Sequence, residues 1–372
     1  MNNLKTPSIS FTGYDAIRLK GLYMQGTHKR NERCVLKEIR SVLQKEGLDL
    51  FVNTTNKSIS NGRYEADETL IDKALSIWGQ DRKAFVVNSK GKQVLWNTRE
   101  PIMRQEDLGG LSDFQIHASK YMPRGGDYYL GFNKENEKWL LVNEYMIYDK
   151  NTFEKYADHP TNRILRELFD IKPKNMYQVG VMGEDLDEVV RPIGYPYILV
   201  NDYNKSLTLL DKMHEAFPKN SSLYSQMRSY IIGKLAEPSV KKADTLCEEL
   251  RNFGFKPITI GGRYYAGINY INAIAFKNNK GKISYISNST RKTLPELKFL
   301  EQLFDTELKK SVPEISDTYY ICGGSRTPEE ILMGARTFFL FDFGLDPQNV
   351  VMEILANRHG GVHCMCAEIP KF

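Results

Sequence analysis

The sequence predicts an α/β fold made by repeating one unit, a β-hairpin followed by a helix and a third strand. Three observations lead there. Strand-like and helical periodicities alternate from end to end, three strand pairs are closed by short polar turns, and no Pro-, Gly- or Ser-rich linker divides the chain. The unit recurs about every 70 residues, the pattern of a closed, pseudo-symmetric assembly and not of two unrelated domains. The 372 residues would accommodate two domains of roughly 150; the repetition favours a single domain over 1–372.

Each element has its own signal. "IRLKGLYMQG" is β-rich, and "NERCVLKEIRSVLQKEG" carries apolar residues at helical spacing with a glycine stop. "LDLFVNT" returns to strand, and "DETLIDKALSIWG" is a second helix. "KAFVVNSKGKQVLWN" reads as a hairpin closed at Lys90-Gly91. "DYYLGFNKENEKWLLVNEYMIY" is another hairpin, turning at Lys134–Glu137. "YPYILVND" and "SLTLLDKMHEAF" are strand then helix. "NYINAIAFKNNKGKISYIS" turns at Asn278–Gly281, and "PELKFLEQLFDTELKKS" and "DTYYICGG" are helix then strand.

Composition narrows the function classes. The chain is 41% hydrophobic and 26% charged, with a net charge of +5 spread thinly along it. No dense Lys/Arg stripe with interleaved aromatics marks a nucleic-acid surface. No window approaches ~18 consecutive apolar residues, so no membrane span is expected. "MNNLKTPSISFTGYD" lacks the apolar core of a signal peptide. The five cysteines, Cys34, Cys247, Cys322, Cys364 and Cys366, are few and scattered. A reducing cytoplasm therefore suits the chain better than a disulfide framework, with non-classical secretion left open.

Polar chemistry meets glycine or strand in four places. Asp81 follows Trp78 in "SIWGQDRKAFVVN" and sits at the mouth of a strand, where a helix cap is the ordinary role. Gly125 and Gly126 precede Asp127 and a strand, which permits close backbone approach or simply a turn. "GVMGEDLDEVVRPIG" places Glu184, Asp185, Asp187 and Glu188 within five residues. If that stretch is extended, Asp185 and Asp187 share a face. It is either a solvated acidic turn or, when buried, a set of carboxylates that raise one another's pKa. Near the C-terminus, "HGGVHCMC" gathers His359, His363, Cys364 and Cys366. Three readings stand there: a buried structural thiol, a zinc site whose spacing matches no familiar ligand pairing, and a nucleophilic thiol.

Taken in order, these stretches resemble the guanidino-group-modifying superfamily, which includes agmatine deiminase, bacterial peptidylarginine deiminase, arginine deiminase and the amidinotransferases. The W-x-x-D of that family is matched by Trp78 and Asp81, and its E-G-G-(N/D) by Gly125, Gly126 and Asp127. Its H-x-D is matched at Asp187, its S-Y-x-N-x strand in part by Asn272, and its G-G-x-H-C by "GGVHC", which contains His363 and Cys364. The resemblance implies a five-bladed propeller of ββαβ units, the pentein fold, and a hydrolase of C–N bonds in amidines. It implies Cys364 as nucleophile and Asp81 and Asp187 as the carboxylates that grip a substrate guanidinium. Trp78, Gly125, Gly126, Asp127, Asn272 and His363 would line the substrate site. No metal and no organic cofactor is implied, and the partner is a small-molecule or peptidyl guanidino substrate.

Two departures from the family pattern alter the chemistry. Arg124 stands where the family has a glutamate, and Asp185 stands where it has the histidine that serves as general acid and base. Asp185 is then the candidate proton carrier, provided its neighbours raise its pKa from the ordinary value of ~3.9. If residues 362–365 are extended, His363 faces away from Cys364. The alternatives are an amidinotransferase on the same fold and a catalytically impaired propeller that binds a guanidinium or a partner protein. Arg124 and Arg191 are candidates to meet a substrate carboxylate, with a structural ion pair as the other role for Arg191.

Overall fold

A computed structural model describes residues 19–25, 30–53, 58–60, 63–65, 83–87, 93–97, 115–118, 125–135, 137–144, 160–181, 185–219, 221–265, 268–289, 295–321 and 366–370. Within them, five three-stranded sheets repeat one pattern: the first two strands run antiparallel, and the third runs parallel to the second. A parallel third strand demands a crossover connection, and helices supply it wherever the crossover is described.

One sheet joins the two ends of the chain. β1 (Leu19–Gln25) is parallel to β2 (Asp49–Asn53), antiparallel to β19 (Cys366–Pro370), and connected to β2 by α1 (Arg30–Glu46). After a small hairpin, β3 (Ser58–Ser60) and β4 (Arg63–Glu65), comes the sheet of β5 (Lys83–Val87), β6 (Gln93–Asn97) and β7 (Gln115–Ala118). The next is β8 (Tyr128–Phe132), β9 (Lys138–Asn143), α2 (Pro160–Phe169) and β10 (Met176–Val179). A short turn of helix, α3 (Leu186–Val189), leads into β11 (Val190–Gly194) and β12 (Tyr197–Asn201). Three helices, α4 (Tyr203–Ala216), α5 (Ser221–Ala236) and α6 (Ala243–Asn252), then cross to β13 (Lys256–Ile260). The two-stranded β14 (Arg263–Tyr265) and β15 (Ile268–Asn269) precede the last sheet, β16 (Ile274–Lys277), β17 (Ile283–Asn288), α7 (Pro295–Ser311) and β18 (Ile315–Ile321).

The hairpins and the α1 and α7 helices fall where the periodicity puts them. Gly47, at φ +68°, ends α1 in the left-handed region that glycine occupies without strain. Pro295 opens α7, Glu296 lies in its first turn and Lys309 and Lys310 in its last, all matched to the helix dipole. Its Leu297, Leu300, Phe304 and Leu308 form one buried stripe. The acidic stretch departs from expectation. Residues 186–189 are helical and the strand begins only at Val190, so Asp185 and Asp187 are not alternate residues of one strand. Asp185 caps the turn, a role its short carboxylate favours over extended structure.

A second repeat lies within the sheets. Asn97, Asn143, Asn201 and Asn288 are the last residues of β6, β9, β12 and β17, the central strand of four sheets. Asn143 and Asn201 tie their sheets to the segment that follows the third strand. Asn143 Oδ1 accepts the N–H of Val181, two residues past β10, at 3.1 Å. Asn201 Oδ1 accepts the N–H of Gly262, two residues past β13, at 3.0 Å. The unequal helical excursions between strands hide this symmetry from simple sequence self-comparison.

The β8–β9 turn makes its own test. Glu137 Oε2 accepts from Lys174 Nζ at 2.9 Å and from Asn175 Nδ2 at 3.0 Å, and Lys172 Nζ reaches Oε1 at 2.5 Å. Hydrogen bonds from Lys172, Asn175 and Lys174 draw the carboxyl pKa from 4.5 down to about 2. A depressed folded-state pKa stabilises above the unfolded value and loses that contribution as pH falls through the folded one. Glu137→Gln is therefore expected to be less stable than wild type at pH 7. The gap should close between about pH 4.5 and about pH 2 in denaturant titrations. A gap that does not narrow as the pH falls through this window would contradict this account.

Among the described residues, no helix is long and apolar enough to cross a membrane, and no three His, Cys, Asp or Glu side chains are grouped to hold a metal ion.

Candidate functional site

Each sheet is entered through a candidate residue. Asp81 precedes β5 by two residues, Asp127 immediately precedes β8, Asp187 precedes β11 by three, Asn272 precedes β16 by two, and Cys364 precedes β19 by two. First and second strands are antiparallel, so each first strand begins at the end of its sheet where the central strand finishes. The asparagine latches lie at that same end. Trp78, Asp81, Arg124, Glu184, His359, His363 and Cys364 lie outside the described residues, and their side chains enter no geometry below.

Four described candidates come together. A Cβ on Gly126 would lie 3.1 Å from Asp187 Oδ1 and 3.2 Å from both Cβ and Oδ2 of Asp185. Gly125–Asp127 forms a turn of 3-10 helix packed against α3, and Gly126 lets that backbone meet the two carboxylates. Asp187 is fully buried and Asp127 nearly so. Asn143 Nδ2 donates to Asp127 Oδ1 and to the carbonyl of Val181, both at 3.0 Å, which joins the β8 entrance to the segment leading towards Asp185. Asn272 lies farther along the chain, with its N–H 3.4 Å from Asn269 Oδ1.

The acidic turn is held from three sides. Leu186 and Val189 sit in the apolar core with Trp139, Val190, Ile198 and Phe255. Glu188 returns to accept the Asp185 N–H at 3.2 Å, the reciprocal half of a capping box. Arg263 Nη2 meets the same Glu188 oxygen at 3.0 Å, while Asn269 Nδ2 donates to the Glu188 carbonyl at 3.0 Å. Glu188 is thus engaged by structure, and Asp185 and Asp187 border Gly126. Arg191, a candidate for a substrate carboxylate, is fully buried with its guanidinium 5.2 Å from the centre of the Tyr129 ring. That is a packed cation–π site.

Sequence reasoning passed over Asn143, Arg263 and Asn269. The recurrence of asparagine at the ends of central strands was a signal for the first; Arg263 and Asn269 act across the fold and carry no local motif.

The space beside Gly126 sets a sharp steric test. A methyl group there would displace its neighbours by a few tenths of an ångström, since its closest approaches would be 3.1–3.2 Å. If the guanidino chemistry that the sequence resemblance implies takes place here, Gly126→Ala is expected to reduce turnover about tenfold by spreading the carboxylates. The unfolding midpoint should change little. Unaltered kcat/KM in this variant would separate the Gly126 pocket from the chemistry.

No protein-family profile and no curated protein matches the sequence. Solved structures do match. An agmatine deiminase from C. jejuni aligns over 100% of this chain and 99% of its own, at 13% identity and a TM-score of 0.50. An Enterococcus faecalis agmatine deiminase aligns over 96% and 95%, at 10% identity and a TM-score of 0.51. The chain shares the fold of these agmatine deiminases. A peptidyl-arginine deiminase-like protein has it too, aligning over 97% of this chain and 100% of its own, at 11% identity and a TM-score of 0.50. At these identities the agreement concerns the path of the chain, and the chemistry must be argued from residues.

Proposed function

We propose that the protein is a cysteine-dependent hydrolase of guanidino groups, acting on agmatine, arginine or peptidyl-arginine. It would act as one domain in which the five sheets close into a propeller. The observation that carries this reading is the placement of Asp81, Asp127, Asp187, Asn272 and Cys364, one just ahead of the first strand of each sheet. In a ring of such sheets, the five positions share one end of a central channel.

The chemistry follows from the residue types. Carboxylates of Asp81 and Asp187 pair with the planar N–H fork of a guanidinium through charge-assisted hydrogen bonds. The bound cation favours the thiolate of Cys364, which adds to the guanidinium carbon. The C–N bond to the departing nitrogen breaks as that nitrogen takes a proton and leaves as ammonia. A thiouronium remains on sulfur. Water then adds to the same carbon, and the C–S bond breaks. The ureido product leaves and the thiolate is restored. Asp185, in the family histidine's position and beside Gly126, is the proton carrier in this scheme.

Incubation with agmatine, free arginine and an arginine peptide, with assays for ammonia and ureido product, tests the proposal. Product from at least one substrate supports it. Transfer of the amidino group to an added amine would instead mark an amidinotransferase. Binding without turnover would mark an impaired propeller, the outcome that replacement of the histidine by Asp185 favours. The absence of both turnover and binding would sink the proposal.

A further inference from the structure

We infer that Arg263 is a positioning residue for the carboxylates of Asp185 and Asp187, an inference that rests on the guanidinium-binding role proposed for Asp187. Arg263 lies far from the acidic turn in sequence and belongs to no motif of the site. Its side chain is 5% exposed, and Nη2 lies 3.0 Å from Glu188 Oε2. That oxygen also accepts the backbone N–H of Asp185 at 3.2 Å. The charge on Arg263 therefore acts through one carboxylate on the backbone that carries Asp185, and Asp187 lies two residues further along.

Arg263 is itself firmly held. Its N–H donates to Asn201 Oδ1 at 3.0 Å, beside the matching bond from Gly262, so the β12 latch anchors its backbone. Its guanidinium lies 5.9 Å from the centre of the Tyr230 ring on α5. Asn269, four residues beyond the end of β14, completes the brace by donating to the Glu188 carbonyl. Arginine suits this position because its planar, permanently charged group is less strongly hydrated than an ammonium and tolerates burial between a carboxylate and an aromatic face.

The consequence concerns charge as well as geometry. Glu188 would otherwise be another carboxylate beside a site that binds a cation. Paired with Arg263 it is neutralised and directed to the Asp185 N–H, which leaves Asp185 and Asp187 facing Gly126. Removal of the arginine charge releases Glu188 and frees the turn. The Glu188 carboxylate that Arg263→Met leaves behind is 23% exposed, so solvent compensates it only in part, and removing both charges avoids that cost.

The test compares Arg263→Met, Arg263→Lys and Glu188→Gln/Arg263→Met. Methionine keeps the apolar stem without the charge, and lysine restores charge without the fork. Arg263→Met should raise KM and the agmatine Kd about tenfold, with lysine recovering part of the loss and the double variant no worse than Arg263→Met. Hydrogen exchange at the amides of 185–189 should quicken in Arg263→Met. Unchanged KM, Kd and exchange in folded Arg263→Met would overturn the inference while leaving the proposed hydrolase intact. A wild type that neither binds nor turns over agmatine, arginine or an arginine peptide overturns the underlying reading, and with it the carboxylates' substrate role. Exchange at 185–189 then decides the brace alone: unaltered exchange overturns it, and faster exchange supports it.

Discussion

Cys364→Ala is expected to reduce guanidino turnover by on the order of 10^4-fold or more while leaving the protein folded. Each half of the proposed reaction passes through a bond to sulfur, and alanine offers no substitute. A general acid or a binding carboxylate contributes less, because water or a neighbouring group takes over part of its role. Cys247 provides an internal contrast. It is 1% exposed, and burial raises its thiol pKa above 9.0, so it is a poor nucleophile and a poor target for reagents. Treatment of the folded protein with iodoacetamide should modify Cys364 quickly, faster with a guanidinium ligand present, and leave Cys247 untouched. Position-resolved mass spectrometry reads both rates. Full activity in Cys364→Ala would remove the covalent mechanism, whatever the fold.

The largest effect on stability is expected at Gly261. An added Cβ there would lie 2.5 Å from the carbonyl carbon of Lys205 and 2.8 Å from its oxygen, and it would also collide with the backbone nitrogen of Ser206. These are backbone atoms in the first turn of α4, so no side-chain rotation relieves the clash. Two elements would have to part: the exit of β13, tied at Ile260 O to the Asp202 N–H at 2.9 Å, and the helix beginning just beyond. Overpacking of this kind costs roughly 3 kcal/mol, which lowers the unfolding midpoint of a chain this long by about 4 °C. Gly233→Ala gives the opposite sign. Nothing lies within 4 Å of a Cβ at Gly233, inside α5. Alanine there should stabilise by about 0.5–1 kcal/mol through helix propensity. Calorimetry on the two variants tests the pair, and equal shifts would contradict the close approach at Gly261.

Much of the candidate site was readable as a pattern before its geometry. Glycine, aspartate and cysteine just ahead of β-rich runs are local patterns, and Gly126, Asp127, Asp187 and Cys364 were each proposed from their neighbours in the chain and from the order the family resemblance gives them. The hairpins were legible because turn residues act locally: Asn278 Oδ1 accepts the N–H groups of Lys280 and Lys282, both at 3.0 Å. Residues 185–189 were less readable, since β-branched residues and a following strand pull towards extended structure while capping pulls towards a helical turn. Burial of Leu186 and Val189 on one side, with Glu188 reaching back on the other, decides for the turn.

The alternation of strand and helix, the three hairpins and the order of the candidate residues were determined by the sequence itself, because each rests on interactions within a few residues. Tertiary structure alone decided that β19 pairs with β1, so that the segment after Cys364 shares a sheet with the N-terminal strand. It also decided that Gly126 faces Asp185 and Asp187, and that Arg263 reaches Glu188. These contacts join residues tens to hundreds of positions apart. They form only when the sheets are packed, since no local preference of the chain encodes a distance across the fold.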